Sequence, residues 1–175
     1  MYCRVSAVVP GSVRNSCDIT VGRLLEVRVL AGYRTSAEVE RFFDELRAQF
    51  SKFAQPRHRA VVIADWRFCP PLSDEISKLL IERMSVANPR IQAVGMLVSK
   101  ESADDIVQFL RTTCGTKNPS RRLFFENPEL MSWAHPFLTG SEFRRLRAFL
   151  DEGASGHMPV SAARPGRVSP KRCGS

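Results

Sequence analysis

Between Asp18 and Glu152 the spacing of apolar positions switches repeatedly between the period of a strand and that of a helix. Ile19 to Val21 is a short β-prone run, Gly22 and Arg23 form a turn, and Leu24 to Leu30 reads as a second strand. In that strand Leu25, Val27 and Val29 point one way, and Leu24, Glu26 and Arg28 the other. Two strands about a two-residue turn containing Gly predict a hairpin. From Thr35 the period lengthens. Thr35 and Glu38 have the spacing of a capping box, in which each side chain satisfies a free backbone N–H of the first turn. Val39, Phe42, Phe43, Leu46, Phe50 and Phe53 then form one helical stripe that stops before Pro56. Ala60 to Ala64 is continuously apolar, rich in β-branched residues and closed by Asp65, the pattern of a parallel strand buried on both faces.

The same alternation continues. After the loop from Trp66 to Pro71, Ser73 is placed to cap a helix, with Asp74 and Glu75 at the positive end of its dipole. Ile76, Leu79, Leu80, Met84 and Ala87 make its inner stripe, and Asn88-Pro89 ends it. Ile91 to Val98 reads as a strand. Ser102 and Asp105 open a helix with Ile106, Phe109, Leu110 and Thr113 on one face, closed by Gly115 and Asn118-Pro119. Arg121 to Glu126 is the last strand. Asn127 as cap and Pro128 in the first turn start another helix, with Leu130, Trp133 and Ala134 facing in and Pro136 breaking it. Thr139 and Glu142 form a second capping box, opening a helix with Phe143, Leu146, Phe149 and Leu150 apolar and Gly153 as its end. The predicted order is β-β-α-β-α-β-α-β-α-α. It implies an α/β domain with a mostly parallel sheet, an antiparallel N-terminal hairpin and helices packed on it. The domain is expected over residues 18–152, after a loose extension (1–17) and before a disordered basic tail (153–175).

Three stretches of this order resemble the STAS domain family, the fold of sulfate-transporter cytoplasmic domains and anti-sigma-factor antagonists. They are the opening strand that ends at Gly32, the strand Val61 to Asp65 leading to Ser73 through Ile76, and the strand Arg122 to Glu126 running into Pro128 through Trp133. Together they span about Ile19 to Trp133, and they look most similar to the SpoIIAA-like branch found in many bacterial genomes. The resemblance implies a STAS-like fold and a regulatory role through docking of a protein. In antagonists of the family, a Ser at the start of the second helix is phosphorylated within an Asp-Ser-Ser-Gly motif. Here the matching positions are Leu72, Ser73, Asp74 and Glu75, with one Ser and no Gly. A phosphate of about −1.5 to −2 charge beside Asp74 and Glu75 would meet repulsion, so Ser73 is expected to be a plain helix cap.

Composition changes this picture little. Apolar residues make up 43% and charged residues 25%, enough for an ordinary core, and the 11 Phe fall mostly at inward positions. The net charge is +8, but half of it comes from Arg164, Arg167, Lys171 and Arg172 in the tail. That tail lacks aromatics for stacking on bases. Arg121, Arg122, Arg144 and Arg145 could add phosphate contacts, yet no recognition helix is evident, so no specific nucleic-acid binding is expected. Five widely spaced cysteines without a C-x-x-C suit free thiols in a reducing cytoplasm. No apolar run reaches the ~18 residues of a membrane span, and Pro10 and Gly11 cut the N-terminal apolar patch below a secretory leader.

Candidate chemistry belongs at the carboxyl ends of the parallel strands, where open α/β sheets bind ligands. That nominates Asp65, Trp66 and Arg67 after one strand, and Ser99 and Lys100 after the next. Asp65 could act as a base, or simply pair with Arg67. Trp66 could line an apolar pocket or anchor its loop. Cys69 lies near a helix N-terminus, which can lower a thiol pKa, but no His is close in sequence. His58, His135 and His157 have no metal-ligand spacing, and no phosphate-binding or hydrolase motif occurs. The expectation is a non-enzymatic regulatory or scaffold module, without cofactor or metal. It docks a protein through Asp65, Trp66, Arg67, Ser73 and Asp74. The alternative is a small-molecule or lipid carrier using a pocket between the sheet and the Phe-rich helices.

Overall fold

The computed structural model describes residues 14–53, 58–101 and 103–155. A five-stranded sheet runs β1 (Ser16–Val21), β2 (Leu24–Arg28), β3 (Ala60–Asp65), β4 (Ile91–Leu97) and β5 (Arg121–Phe124). The strands lie side by side in chain order. β1 pairs antiparallel with β2, and every other pairing is parallel. Helices α1 (Ser36–Ser51), α2 (Asp74–Ala87), α3 (Ala103–Gly115), α4 (Asn127–Ala134) and α5 (Gly140–Ser155) cover it. No described helix is long and apolar enough to cross a membrane.

Period-two alternation in the strands divides the core in two. Leu25, Val27, Val29, Val62, Ala64, Val94 and Met96 pack against the stripes of α1 and α2 and Phe109 of α3. Leu24, Ile63 and Leu97 turn the other way, onto Leu130 and Ala134 of α4 and Leu146, Phe149 and Leu150 of α5. β3 is therefore buried along its whole length, as its apolar run predicts. Both capping boxes form. Thr35 Oγ1 accepts from the Glu38 N–H while Glu38 reaches back to the Thr35 N–H. Thr139 and Glu142 do the same at α5.

Several boundaries differ from expectation. β1 starts at Ser16, ahead of the expected Asp18, because Asn15 is tied in: its side-chain Oδ1 accepts from the N–H groups of Leu30 and Ala31 at 3.1 and 3.0 Å. α4 begins with Asn127 as its first helical residue and Glu126 at the cap, without a side-chain capping bond. On α3, Leu110 is exposed while Thr112 is buried. Thr112 hides its hydroxyl by donating to the Gln108 carbonyl at 3.0 Å, which leaves its methyl for the interior. Gly153 does not end α5, which continues to Ser155. The expected stop at Pro56, the Ser102 cap, the first 13 residues and the tail from Gly156 lie outside the described residues.

Glu142 has a second task. Its carboxylate accepts from the Arg23 N–H at 2.5 Å, so the box that starts α5 also clamps the hairpin. The turn residue Gly22 sits at φ +56°, and a Cβ there would fall 2.3 Å from Glu142 Oε1. Burial opposes ionisation of Glu142. The N–H groups of Arg23 and Thr139, the Thr139 hydroxyl and the Arg23 charge outweigh it and hold its pKa below the usual value. A depressed folded-state pKa gives stability that is present above the unfolded value of ~4.3 and lost as pH falls through the folded one. Glu142→Gln is therefore expected to cost about 1–3 kcal/mol at pH 7. Chemical denaturation of both proteins across pH 3–7 checks this: the gap should narrow below about pH 4.

Candidate functional site

Asp65 ends β3 opposite Arg28 of β2. Its direction follows from the strand: Ile63 and Asp65 share the α5 side, and Trp66 turns to the α1–α3 side. The Asp65 carboxylate is 1% exposed. Arg67 grips both of its oxygens, Nε to Oδ1 at 2.9 Å and Nη2 to Oδ2 at 2.8 Å, and the Arg67 N–H adds a contact of 3.3 Å to Oδ1. Arg28 Nε stands 3.9 Å from Oδ2, an ion contact too long for a hydrogen bond. Arg28 Nη2 donates instead to the Phe149 carbonyl at 2.6 Å, and its guanidinium lies 4.5 Å above the Phe149 ring. The pairing of Asp65 with Arg67 weighed from the sequence is thus what forms, and both carboxylate oxygens are engaged. This geometry ties a loop and a helix to the sheet; it presents no free base.

The last turns of α5 close over the cluster. A Cβ on Gly153 would lie 2.8 Å from Asp65 Oδ2, 2.9 Å from Arg67 Nη2 and 3.2 Å from Arg28 Nη2. The apparent helix terminator is a close-approach residue inside the helix.

Trp66 corrects the expectation of a docking side chain: it is 2% exposed. Its ring meets Phe109 edge-on at 5.4 Å and tilts against Tyr33 at 6.3 Å. Its backbone N–H donates to the Leu97 carbonyl at 2.8 Å, extending the sheet ladder by one residue. The indole N–H and the Tyr33 hydroxyl, both buried, have no hydrogen-bond partner among the described residues. The five nominated residues therefore separate. Asp65 and Arg67 lie under α5, Trp66 lies inside the opposite layer, and Ser73 and Asp74 are exposed. The reason is topological. Strands in chain order carry no reversal of order, so the crevice that such a reversal opens in doubly wound sheets does not arise here.

Ser73 is a helix cap, with Oγ accepting from the Ile76 N–H at 3.3 Å. Asp74 and Glu75 follow it, exposed, in the first turn of α2. The segment leading there is held from three sides. Cys69 is buried and its N–H donates to the Trp66 carbonyl at 3.1 Å. Pro70 lies so close to Gly32 that a Cβ there would fall 2.7 Å from the proline ring. The Leu72 N–H reaches Gln108 on α3 at 3.4 Å. Lys100 pairs with Glu126. Ser99 Oγ accepts from the Glu101 N–H at 3.2 Å.

The thiols differ in environment. Cys69 donates to the Pro70 carbonyl at 3.4 Å. Burial, reinforced by Asp18 and Glu45, pushes Cys17 up to about 12. Cys114 is exposed. Among the described residues, no group of three or more His, Cys, Asp or Glu has metal-binding proximity. In each arginine pair considered for phosphate contact, one member is buried or already engaged by carboxylates. Arg121 is 8% exposed, and Arg145 forks onto Glu26 at 2.7 and 2.6 Å. Comparison of the chain with protein-family models, with curated proteins and with solved structures yields no match.

Two outcomes follow from this packing. A Gly→Ala change inside an exposed helix normally gains about 1 kcal/mol. Gly153→Ala is expected to reverse that sign and cost about 1–3 kcal/mol through overpacking, while Gly140→Ala, with nothing within 4 Å of the added carbon, is neutral or stabilising. Urea denaturation of both variants reads the difference. In a brief iodoacetamide pulse at pH 7 followed by peptide mapping, Cys114 is expected to be modified ahead of Cys17 and Cys69.

Proposed function

We propose that this chain is a non-enzymatic regulatory or scaffold module with a STAS-like fold, docking a protein partner through the corner from Pro70 to Glu75. One observation supports the reading most. Pro70, Pro71, Ser73, Asp74 and Glu75 are exposed on a segment whose ends are fixed by buried Cys69, by Pro70 on Gly32 and by Gln108. A surface already fixed in one conformation loses little entropy on binding. Asp74 and Glu75 form no hydrogen bond or ion pair among the described residues, so their charge is available to a partner with a basic face. The STAS-like part rests on the element order and on the simple order of the sheet. The non-enzymatic part rests on the engagement of Asp65 by Arg67 and of the Cys69 thiol by Pro70.

A carrier role has its own observation, a chamber of about 40 Å³ between the sheet and α1 and α2. That volume is far below the ~300–1,000 Å³ of ordinary ligand pockets, so an acyl lipid does not fit the packed domain.

Docking is tested with the double variant Asp74→Lys, Glu75→Lys against Arg147→Glu, an exposed change on α5. The first is expected to weaken binding of a partner co-purified with the wild-type chain by at least about tenfold, and the second to leave it unchanged. Equal binding by all three proteins, or turnover of a small substrate by the chain alone, overturns the proposal.

A further inference from the structure

The chamber between the sheet and α1 and α2 has an asymmetric lining. Phe42, Phe43, Val62 and Met84 supply apolar walls, and the lining side chains that carry polar N–H groups are Trp66 and Arg121. Both have an N–H without a partner: the indole Nε1 of Trp66 and Nε of Arg121. Arg121 is 8% exposed. Its Nη1 faces the Met84 sulfur at 3.6 Å, and its Nη2 is 3.4 Å from Asn88 Oδ1. No carboxylate among the described residues pairs with it, in contrast to Arg67 and Arg145 in the opposite layer. Burial alone lowers Arg121 to about 10. An isolated buried cation is among the costliest arrangements in a protein interior.

Every orphan group at the chamber is a donor, and one carries a positive charge. The complementary occupant is an acceptor with negative charge. A water could satisfy Nε, but it would leave the charge uncompensated, and a stable internal water needs two to four polar partners. A guanidinium offers two adjacent N–H groups that match the two oxygens of a carboxylate. The walls ask for an apolar remainder, and about 40 Å³, where ~10–15 Å³ admits one water, leaves room for an occupant of only a few non-hydrogen atoms. Met84, as a flexible side chain, is the wall that can yield.

We propose that this chamber binds a short monocarboxylate such as acetate or propionate, its carboxylate on the Arg121 guanidinium and its alkyl group among Phe42, Phe43 and Val62. The site deepens the carrier reading and is independent of docking at the α2 corner.

The test follows the Arg121 Nε–H and Trp66 indole signals in ¹H–¹⁵N spectra of the full chain. Sodium propionate is added up to about 100 mM, enough to reveal millimolar binding, with n-propanol and sodium chloride as separate arms. Propionate is expected to shift both signals saturably, and neither control to do so. Arg121→Met keeps a side chain of similar length and removes the buried charge, a change that proteins tolerate. It is expected to remain folded and to lose saturable binding by tenfold or more, read on the Trp66 indole. Ala87→Met, which fills the chamber and keeps Arg121, is expected to weaken binding as well. No saturation in the wild type, an equal response to chloride, or unchanged binding in Arg121→Met overturns the site. A longer acyl ligand that co-purifies equally with wild type and Arg121→Met would retain a carrier and still overturn the Arg121 carboxylate site.

Discussion

A carboxylate at 1% exposure on the end of an inner strand is costly to bury unless the fold pairs it, and Asp65 organises one end of this domain for that reason. Arg67 comes back along its own loop to fork onto both oxygens. Arg28 stands opposite in the neighbouring strand and spends its other nitrogen on the Phe149 carbonyl and its face on the Phe149 ring. The charge is thereby shared between a loop, two strands and α5. Removing one member would leave the others buried and unpaired, which costs more than the net value of the pair. α5 closes on the cluster only because residue 153 carries no side chain.

The same logic runs along the rest of α5. Glu142 fastens its start to the hairpin turn, and Arg145 forks onto Glu26 in the middle of β2 while also holding Glu152. β2 faces α5 with Leu24, Glu26 and Arg28, one apolar and two charged residues, and each charged one meets a fixed partner on the helix. Apolar contact supplies the burial of this layer, and the ion pairs fix the register of α5 on the sheet. Directional contacts of this kind distinguish one placement of a helix from its neighbours, which a greasy stripe alone does less well.

How much of this was legible depends on how local the cause is. The capping boxes at Thr35 and Thr139, the cap at Ser73 and the doubly buried β3 are set by residues a few positions apart, and each forms as the spacing predicts. The errors come from contacts across the chain. Gly153 has the appearance of a terminator, but its neighbours lie about 90 and 120 positions earlier, at Asp65, Arg67 and Arg28. Trp66 follows an acidic strand end and looks like a loop residue, yet one more backbone bond to β4 turns it into the α1–α3 core. Leu110 is the local exception: it is exposed, and the interior takes Thr112, whose hydroxyl is absorbed by the Gln108 carbonyl one turn back. As a result the site inferred from the strand ends dissolves into an internal clasp on one side and an aromatic cluster on the other, and only its Ser73–Asp74 end reaches the surface.

The two layers treat buried charge in opposite ways, and the contrast bears on where chemistry resides. Under α4 and α5, Glu26, Asp65 and Glu142 each have cationic or N–H partners within hydrogen-bonding distance. Under α1–α3, Arg121 donates to the Met84 sulfur and to the Asn88 side-chain oxygen but meets no carboxylate, and Trp66 leaves its indole N–H unused. Among the described residues Arg121 is the buried cation without a carboxylate partner, whereas Arg28 under α5 also leaves its Nε without a hydrogen bond but has Asp65 at 3.9 Å. Desolvating a charge costs several kcal/mol when nothing repays it, and the Asn88 amide oxygen offers a dipole, not a counter-charge. An occupant carrying the missing negative charge repays it. A sheet whose strands follow chain order opens no strand-end crevice, and the chamber lined by the cation that β5 turns inward lies instead between the sheet and α1 and α2.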